Sequence, residues 1–317
     1  IVMKRNSIVA AALIAVAFSI VPLAAEEGAS GITSTTSLGF VAATTLEAKV
    51  KLVQSVKIPL LAGNNPLTSG NNLNLKGAFE LSPVSINATF DAAFTPVAFL
   101  VFSAGAGIGS GWNIPIANGL RINEPEKDGT GALTGSRELV GEPFDGAVWY
   151  GKVGATFQFD LAAVMPGDWN HVVFQTYHEA KYRALTSASA DDSWLYEADS
   201  GENRNGLNYY GNYVLGYQMP LFINMVALLI EEDLYLYDTA NRANWGDDLG
   251  RWNIGTIMNI QPTEKLSLAL IVQMSTQRKF KDSTGDNDFY QSRVIVDSNP
   301  LALKFYRAAI NGTYRLK

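Results

Sequence analysis

The sequence predicts an all-β chain folded as an antiparallel transmembrane β-barrel of about 12 strands. Three observations predict it: sustained alternation of apolar and polar residues, an export signal at the start, and no later apolar run of the about 20 residues a spanning helix needs. Leu207 to Met219 shows the alternation best. Every second residue there is Leu, Tyr, Gly or Met, while Asn208, Tyr210, Asn212, Val214, Gly216 and Gln218 fill the other face. A period of two is a strand with one apolar and one wet side. Beyond the leader the longest strongly apolar stretch is Leu221 to Ile230, too short to cross as a helix. A spanning chain without such helices has to close its sheet, because open edges would leave backbone groups unpaired in lipid.

The leader comes first. Lys4 and Arg5 precede an apolar run from Ile8 to Leu23, and Ala24 and Ala25 supply small residues before Glu26 and Glu27. This is the grammar of a cleaved signal peptide over 1–25. Its loss removes Lys4 and Arg5 and no acid, moving the formal charge from -6 to -8. Residues 26–317 read as a single barrel domain, since no linker or block of like charge divides them.

Strands are expected near 34–44, 46–60, 73–82, 84–94, 97–112, 146–160, 171–184, 207–219, 221–235, 251–261, 266–280 and 301–316. Thr45, Ser82-Pro83 and Thr95-Pro96 are tight connections that also read as kinks, which keeps ten or fourteen strands open. From residue 146 onward, long polar segments (185–206, 236–250, 281–300) alternate with short ones such as Met219-Pro220. Short turns face the periplasm and long loops the outside, which also puts 115–145 outside. The loop Thr186 to Gly206 is acidic, with Asp191, Asp192, Glu197, Asp199 and Glu202 against Arg204 alone. Trp112, Trp149, Tyr182, Tyr209, Tyr235, Trp252 and Phe280 gather where strands meet the long loops, as an interfacial girdle would.

The last segment places Tyr306, Ala308, Ile310, Gly312, Tyr314 and Leu316 on one face and Arg307, Asn311, Thr313 and Arg315 on the other. Here the chain resembles the bacterial outer-membrane β-barrel proteins, whose amphipathic C-terminal strand with aromatic positions is an assembly signal. The usual terminal Phe is absent, the chain ending Tyr314-Arg315-Leu316-Lys317. The resemblance implies the outer membrane of a diderm bacterium, contact with its lipid, and handling by the barrel-assembly machinery. The mixed-charge interior points to the porin-like members, which often form homotrimers and pass small polar solutes.

Composition removes other classes. With 17% charged and 47% hydrophobic residues the chain is neither disordered nor a coiled coil. The acidic balance argues against nucleic acid as a partner. Zero cysteines exclude disulfide scaffolds and thiolate metal sites. No metal or other cofactor and no catalysis are expected.

The wet face is the functional surface of a barrel. Alternation assigns to it Lys49, Lys51, Lys57, Lys76, Glu80, Asp91, Lys152, Glu179, Lys181, Arg183, Asn208, Asn212, Gln273 and Arg307. As pore lining, this set makes a hydrated, weakly anion-tolerant channel. The alternative is that the charges pair across the lumen and close it, leaving a structural or adhesive protein that works through its acidic loops. Gly105, Gly107, Gly109 and Gly111 form an inward stripe without side chains, which either admits a second backbone, such as an infolded 115–145 loop, or relieves strand curvature.

His171 and His178, the only histidines, fall seven residues apart on opposite faces, with His178 toward lipid, and no motif makes them catalytic. Asp282, Asp286 and Asp288 carry oxygen ligands suited to calcium but read first as a solvated tip. Asp191-Asp192 and Asp247-Asp248 read the same way.

Overall fold

The alternating segments pair antiparallel, each barrel strand lying between two neighbours. The computed structural model describes residues 31–189, 192–197, 202–236, 245–281 and 294–316. The expected leader at 1–25 lies outside them, as do Asp191, Asp199, Asp282, Asp286 and Asp288. In chain order the strands are β1 (Thr33–Ala43), β2 (Ala48–Pro59), β3 (Asn72–Ser82), β4 (Ser85–Val97), β5 (Leu100–Gly111), β6 (Leu120–Lys127), β7 (Leu133–Val140) and β8 (Val148–Asp160). There follow β9 (Val172–Leu185), β10 (Trp194–Tyr196), β11 (Gly206–Gln218), β12 (Ile223–Tyr235), β13 (Arg251–Ile260), β14 (Leu266–Arg278) and β15 (Leu301–Arg315).

Twelve of them close a barrel in the order β1-β15-β14-β13-β12-β11-β9-β8-β5-β4-β3-β2. The seam is β1 against β15, in register from Ser37↔Arg315 to Ala43↔Ala309. The shortest barrel strand has 10 residues and the longest 15, enough to cross a bilayer at a tilt. Thr95-Pro96 is no turn: β4 runs through it, the register with β5 shifting between Phe94 and Val97, and the chain reverses at 98–99. A bulge there absorbs the missing proline N–H.

The other three strands were not anticipated. β10, β6 and β7 form a small sheet from the two connections 112–147 and 186–205, at the end of the barrel opposite the chain termini. Its apolar side, Leu120, Ile122, Trp194 and Tyr196, packs on Val148 and Leu185. This buries large side chains over one mouth of the barrel.

Alternation sorts the barrel side chains. Phe90, Ile108, Val153, Leu215 and Phe305 point outward and are more than half exposed. Inward, one wall is filled: Val214, Met225, Ala227, Leu229, Ile257, Ile271 and Ala309 bury one another across β11, β12, β13, β14 and β15. The interior is therefore eccentric, dry along that wall and polar along β2 to β9. One position departs from the expected faces. The β14/β15 register shifts between Gln273 and Met274, and Tyr306, expected outward, joins Arg307 at the inner surface with its ring 5.0 Å from the guanidinium. A bulge puts consecutive residues on one side of a strand.

Candidate functional site

A cavity of about 880 Å³ runs along the polar wall. Of the residues expected to face the lumen, Lys51, Lys76, Glu80, Asp91, Lys152, Glu179, Lys181, Arg183 and Asn208 line it. Six of them are paired locally as ions: Lys51 with Glu80, and Lys152 and Lys181 with Asp91 and Glu179. The Lys152 ammonium lies 3.0 Å from Asp91 and 3.5 Å from Glu179, and Lys181 lies 3.0 Å from the other Glu179 oxygen. Tyr177 donates its hydroxyl to Glu179 at 2.6 Å, and Lys51 reaches Glu80 at 3.3 Å.

The remaining members of that set sit elsewhere. Lys57 is exposed near the end of β2, opposite Thr33, and is not part of the cavity wall. Asn212, Gln273 and Arg307 point inward but are buried. Gln273 and Arg307 belong to a chain of bonds: Tyr210 and Gln273 both donate to Glu231, at 2.6 and 2.5 Å, and Arg307 donates to Gln273 at 2.9 Å and to Glu47 at 3.1 Å. Buried polar groups are tolerated when paired in this way.

Lys49 has a different role. Its ammonium is buried between Glu80 at 3.1 Å and Glu197 at 2.8 Å, and Glu197 comes from the 186–205 connection. Ser85 and Asn87 donate to the same carboxylate at 2.7 and 3.0 Å. Glu197 holds a left-handed backbone, φ 58°, and its N–H donates to Gly119 at 2.7 Å. Burial opposes its charge, but Lys49 and the bonds from Lys49, Ser85 and Asn87 outweigh this and hold the carboxyl below the usual range. Beside it Tyr196 donates to Asn87 at 2.7 Å, and Arg183 stacks 4.9 Å from the Trp194 ring. Trp194 to Glu197 thus form a strap tied inside the mouth.

The glycine stripe explains how the strap fits. A Cβ at Gly105 or Gly107 would strike the Lys152 or Tyr150 side chain, and one at Gly109 would strike Asn87 and Tyr196. At Gly111 the neighbours are all backbone, Gly119 and Val84, and at Gly105 the Phe90 carbonyl lies 3.0 Å away behind the Asp91 and Lys152 side chains. The stripe therefore receives side chains from the flanking strands and the strap, and only at Gly111 is it met by backbone alone.

A second tie crosses the mouth. Arg204 lies 3.1 Å from Asp247, both buried, and Arg278 and Arg251 lie 3.5 and 3.7 Å from Glu202. Asp247, expected at a solvated tip, is instead an ion-pair partner, and Glu197 and Glu202 of the acidic loop also turn inward. The apolar run Trp194-Leu195-Tyr196 inside that loop was the sequence signal for burial. His178 is on the outer face as expected, while His171 pairs with Asp160 at 2.6 Å.

No family model matches the chain, and no curated protein matches it in sequence. Solved structures that it resembles include CdiB from Acinetobacter baumannii, with a TM-score of 0.36 and 9% identity over 89% of this chain; the chain spans 60% of that protein. The beta domain of the Bordetella autotransporter BrkA gives a TM-score of 0.36 at 11% identity, covering 90% of this chain and 98% of that one. An anion-selective porin from Comamonas acidovorans gives 0.28 at 8% identity, covering 90% and 99%.

Proposed function

We propose that the chain is an outer-membrane barrel through which small polar solutes diffuse, along an eccentric slot rather than a central bore. The outward apolar wall supports the membrane setting. The observation that carries the reading is the cavity, whose wall extends from Asn74 and Gln158 toward the end holding the chain termini to Asn208 and Arg278 at the strapped mouth. Its charged lining comprises Lys51, Lys76, Lys152, Lys181, Arg183, Arg204, Arg251 and Arg278 against Glu47, Glu80, Asp91, Glu179, Glu197 and Asp233. Eight cations against six anions, many paired, favour anions only weakly. No reaction and no cofactor enter this reading.

The strap favours a second reading, in which the mouth is shut and the loops act at the surface. Conductance across a planar bilayer separates the two. Steps from the intact protein support the slot; silence that ends when residues 189–197 are replaced by a short flexible linker supports the shut barrel.

A further inference from the structure

The slot wall holds a pair of opposite charges that face each other and do not meet. Asp233 of β12 and Arg251 of β13 are register partners, and both line the cavity toward the strapped mouth. Lys51 and Glu80, partners in the same sense on β2 and β3, close to 3.3 Å. Asp233 stays apart: among the described residues its carboxylate has neither an ion pair nor a side-chain hydrogen bond. Arg251 comes no nearer to a carboxylate than 3.7 Å, from Glu202, which it shares with Arg278 at 3.5 Å. Its guanidinium donates no hydrogen bond among the described residues. Lys181, also on this wall, is held by Glu179 at 3.0 Å. Acceptor lone pairs and guanidinium donors are thus uncommitted side by side in one cavity.

We propose that this pair takes a zwitterionic α-amino acid from the slot, the solute's carboxylate accepting from Arg251 and its ammonium donating to Asp233. Directly opposed residues of an antiparallel pair hold their Cβ atoms about 4.5–5.5 Å apart, so the two charges of the ligand have to be close as well. An α-amino acid carries both on the same carbon. A plain anion would gain Arg251 but meet the Asp233 carboxylate, and a plain cation would gain Asp233 but meet the guanidinium. The arginine is backed by Tyr235, whose ring lies 5.9 Å from the guanidinium and whose hydroxyl donates to the Glu202 carbonyl at 2.6 Å. Neither contact reads the side chain of the amino acid, so the site selects the zwitterion as a class.

The proposal rests on the reading that small polar solutes enter the slot. Its test is ligand binding to the full chain in detergent at neutral pH, followed by saturation-transfer NMR with glycine, acetate and methylammonium as separate probes. The intact protein should bind glycine about tenfold more tightly than either single-charge probe, a ratio set by one further charge-assisted bond. Asp233→Asn should bring glycine down to the level of acetate, and Arg251→Gln should bring it down to the level of methylammonium. Heat-shifted gel mobility checks that each variant still closes its barrel, and the comparison of probes on the intact protein stands without them. Equal binding of glycine and acetate by the intact protein overturns the site in favour of a plain anion contact. Glycine affinity unchanged in both closed variants overturns it as well. Conductance separates the two readings: a chain that prefers glycine but passes no current keeps the site and loses the open slot, while one that conducts without preferring glycine loses the site alone.

Discussion

Glu197 and Lys49, 148 residues apart in sequence, meet at 2.8 Å inside the mouth of the barrel. The pair fastens the strap to β2, with Lys49 buried and Glu197 at the cavity wall. Removing the carboxylate leaves Lys49 with Glu80 alone, at a cost of about 1.5–3 kcal/mol for the lost charge-assisted bonds. Glu197→Gln should therefore loosen the strap, read as faster proteolysis between 186 and 205 and larger or more frequent conductance steps. Unchanged proteolysis would mean that the apolar packing of Trp194 holds the strap unaided.

The same bond gives a pH dependence. The Glu197 carboxyl is held below its ordinary value, so its contribution is fully present above the unfolded carboxyl range and is lost as pH falls through the depressed folded value. Conductance or strap proteolysis should be constant near neutrality and rise only in acid below about pH 4. A transition near pH 6 would point to a histidine instead.

Gly109→Ala should destabilise the mouth, because the added methyl meets Asn87 and Tyr196. Overpacking of this kind costs about 1–3 kcal/mol. Gly151→Ala is the control, since nothing lies within 4 Å of its Cβ. Thermal loss of the compact gel band should come at lower temperature for the first variant and not for the second.

Leu215→Arg should impair insertion, as a lipid-facing cation near the midplane costs about 2–4 kcal/mol, whereas Thr89→Arg on the cavity wall should insert normally. Asn212→Arg is not the matched control that alternation suggests, because Asn212 is buried beside Tyr210. Equal insertion yields for Leu215→Arg and Thr89→Arg would reverse the assignment of faces.

For selectivity, Lys181→Glu removes one lining cation and adds an anion next to Glu179. The reversal potential in a salt gradient should move toward cations at low salt, and the shift should fade at molar salt, where the screening length is about 3 Å. A shift that persists at molar salt would indicate a change of shape rather than of field.

The barrel was legible in the sequence because its rule is local: side chains alternate, and twelve segments do so for long enough to be counted. The strap was not legible. β6, β7 and β10 are short, and what buries Trp194, Glu197, Glu202 and Asp247 comes from distant loops and strands. Alternation gives the face of Asn212, Gln273 and Arg307 correctly but says nothing of whether water reaches it. The bulge at Tyr306 breaks the period by one residue, which no count of apolar positions detects.

The dry wall reaches the seam. Ala309 belongs to the buried cluster, Ala43 packs against that cluster from β1, and Arg307 of β15 bonds Glu47 just beyond β1 at 3.1 Å. The first and last strands are thus riveted from within as well as hydrogen-bonded edge to edge. That closure covers only the half of β15 nearer the chain termini: β1 pairs with Ala309 to Arg315, while Leu301 to Arg307 rise past the end of β1, so the rim at the strapped end is lowest beside the seam.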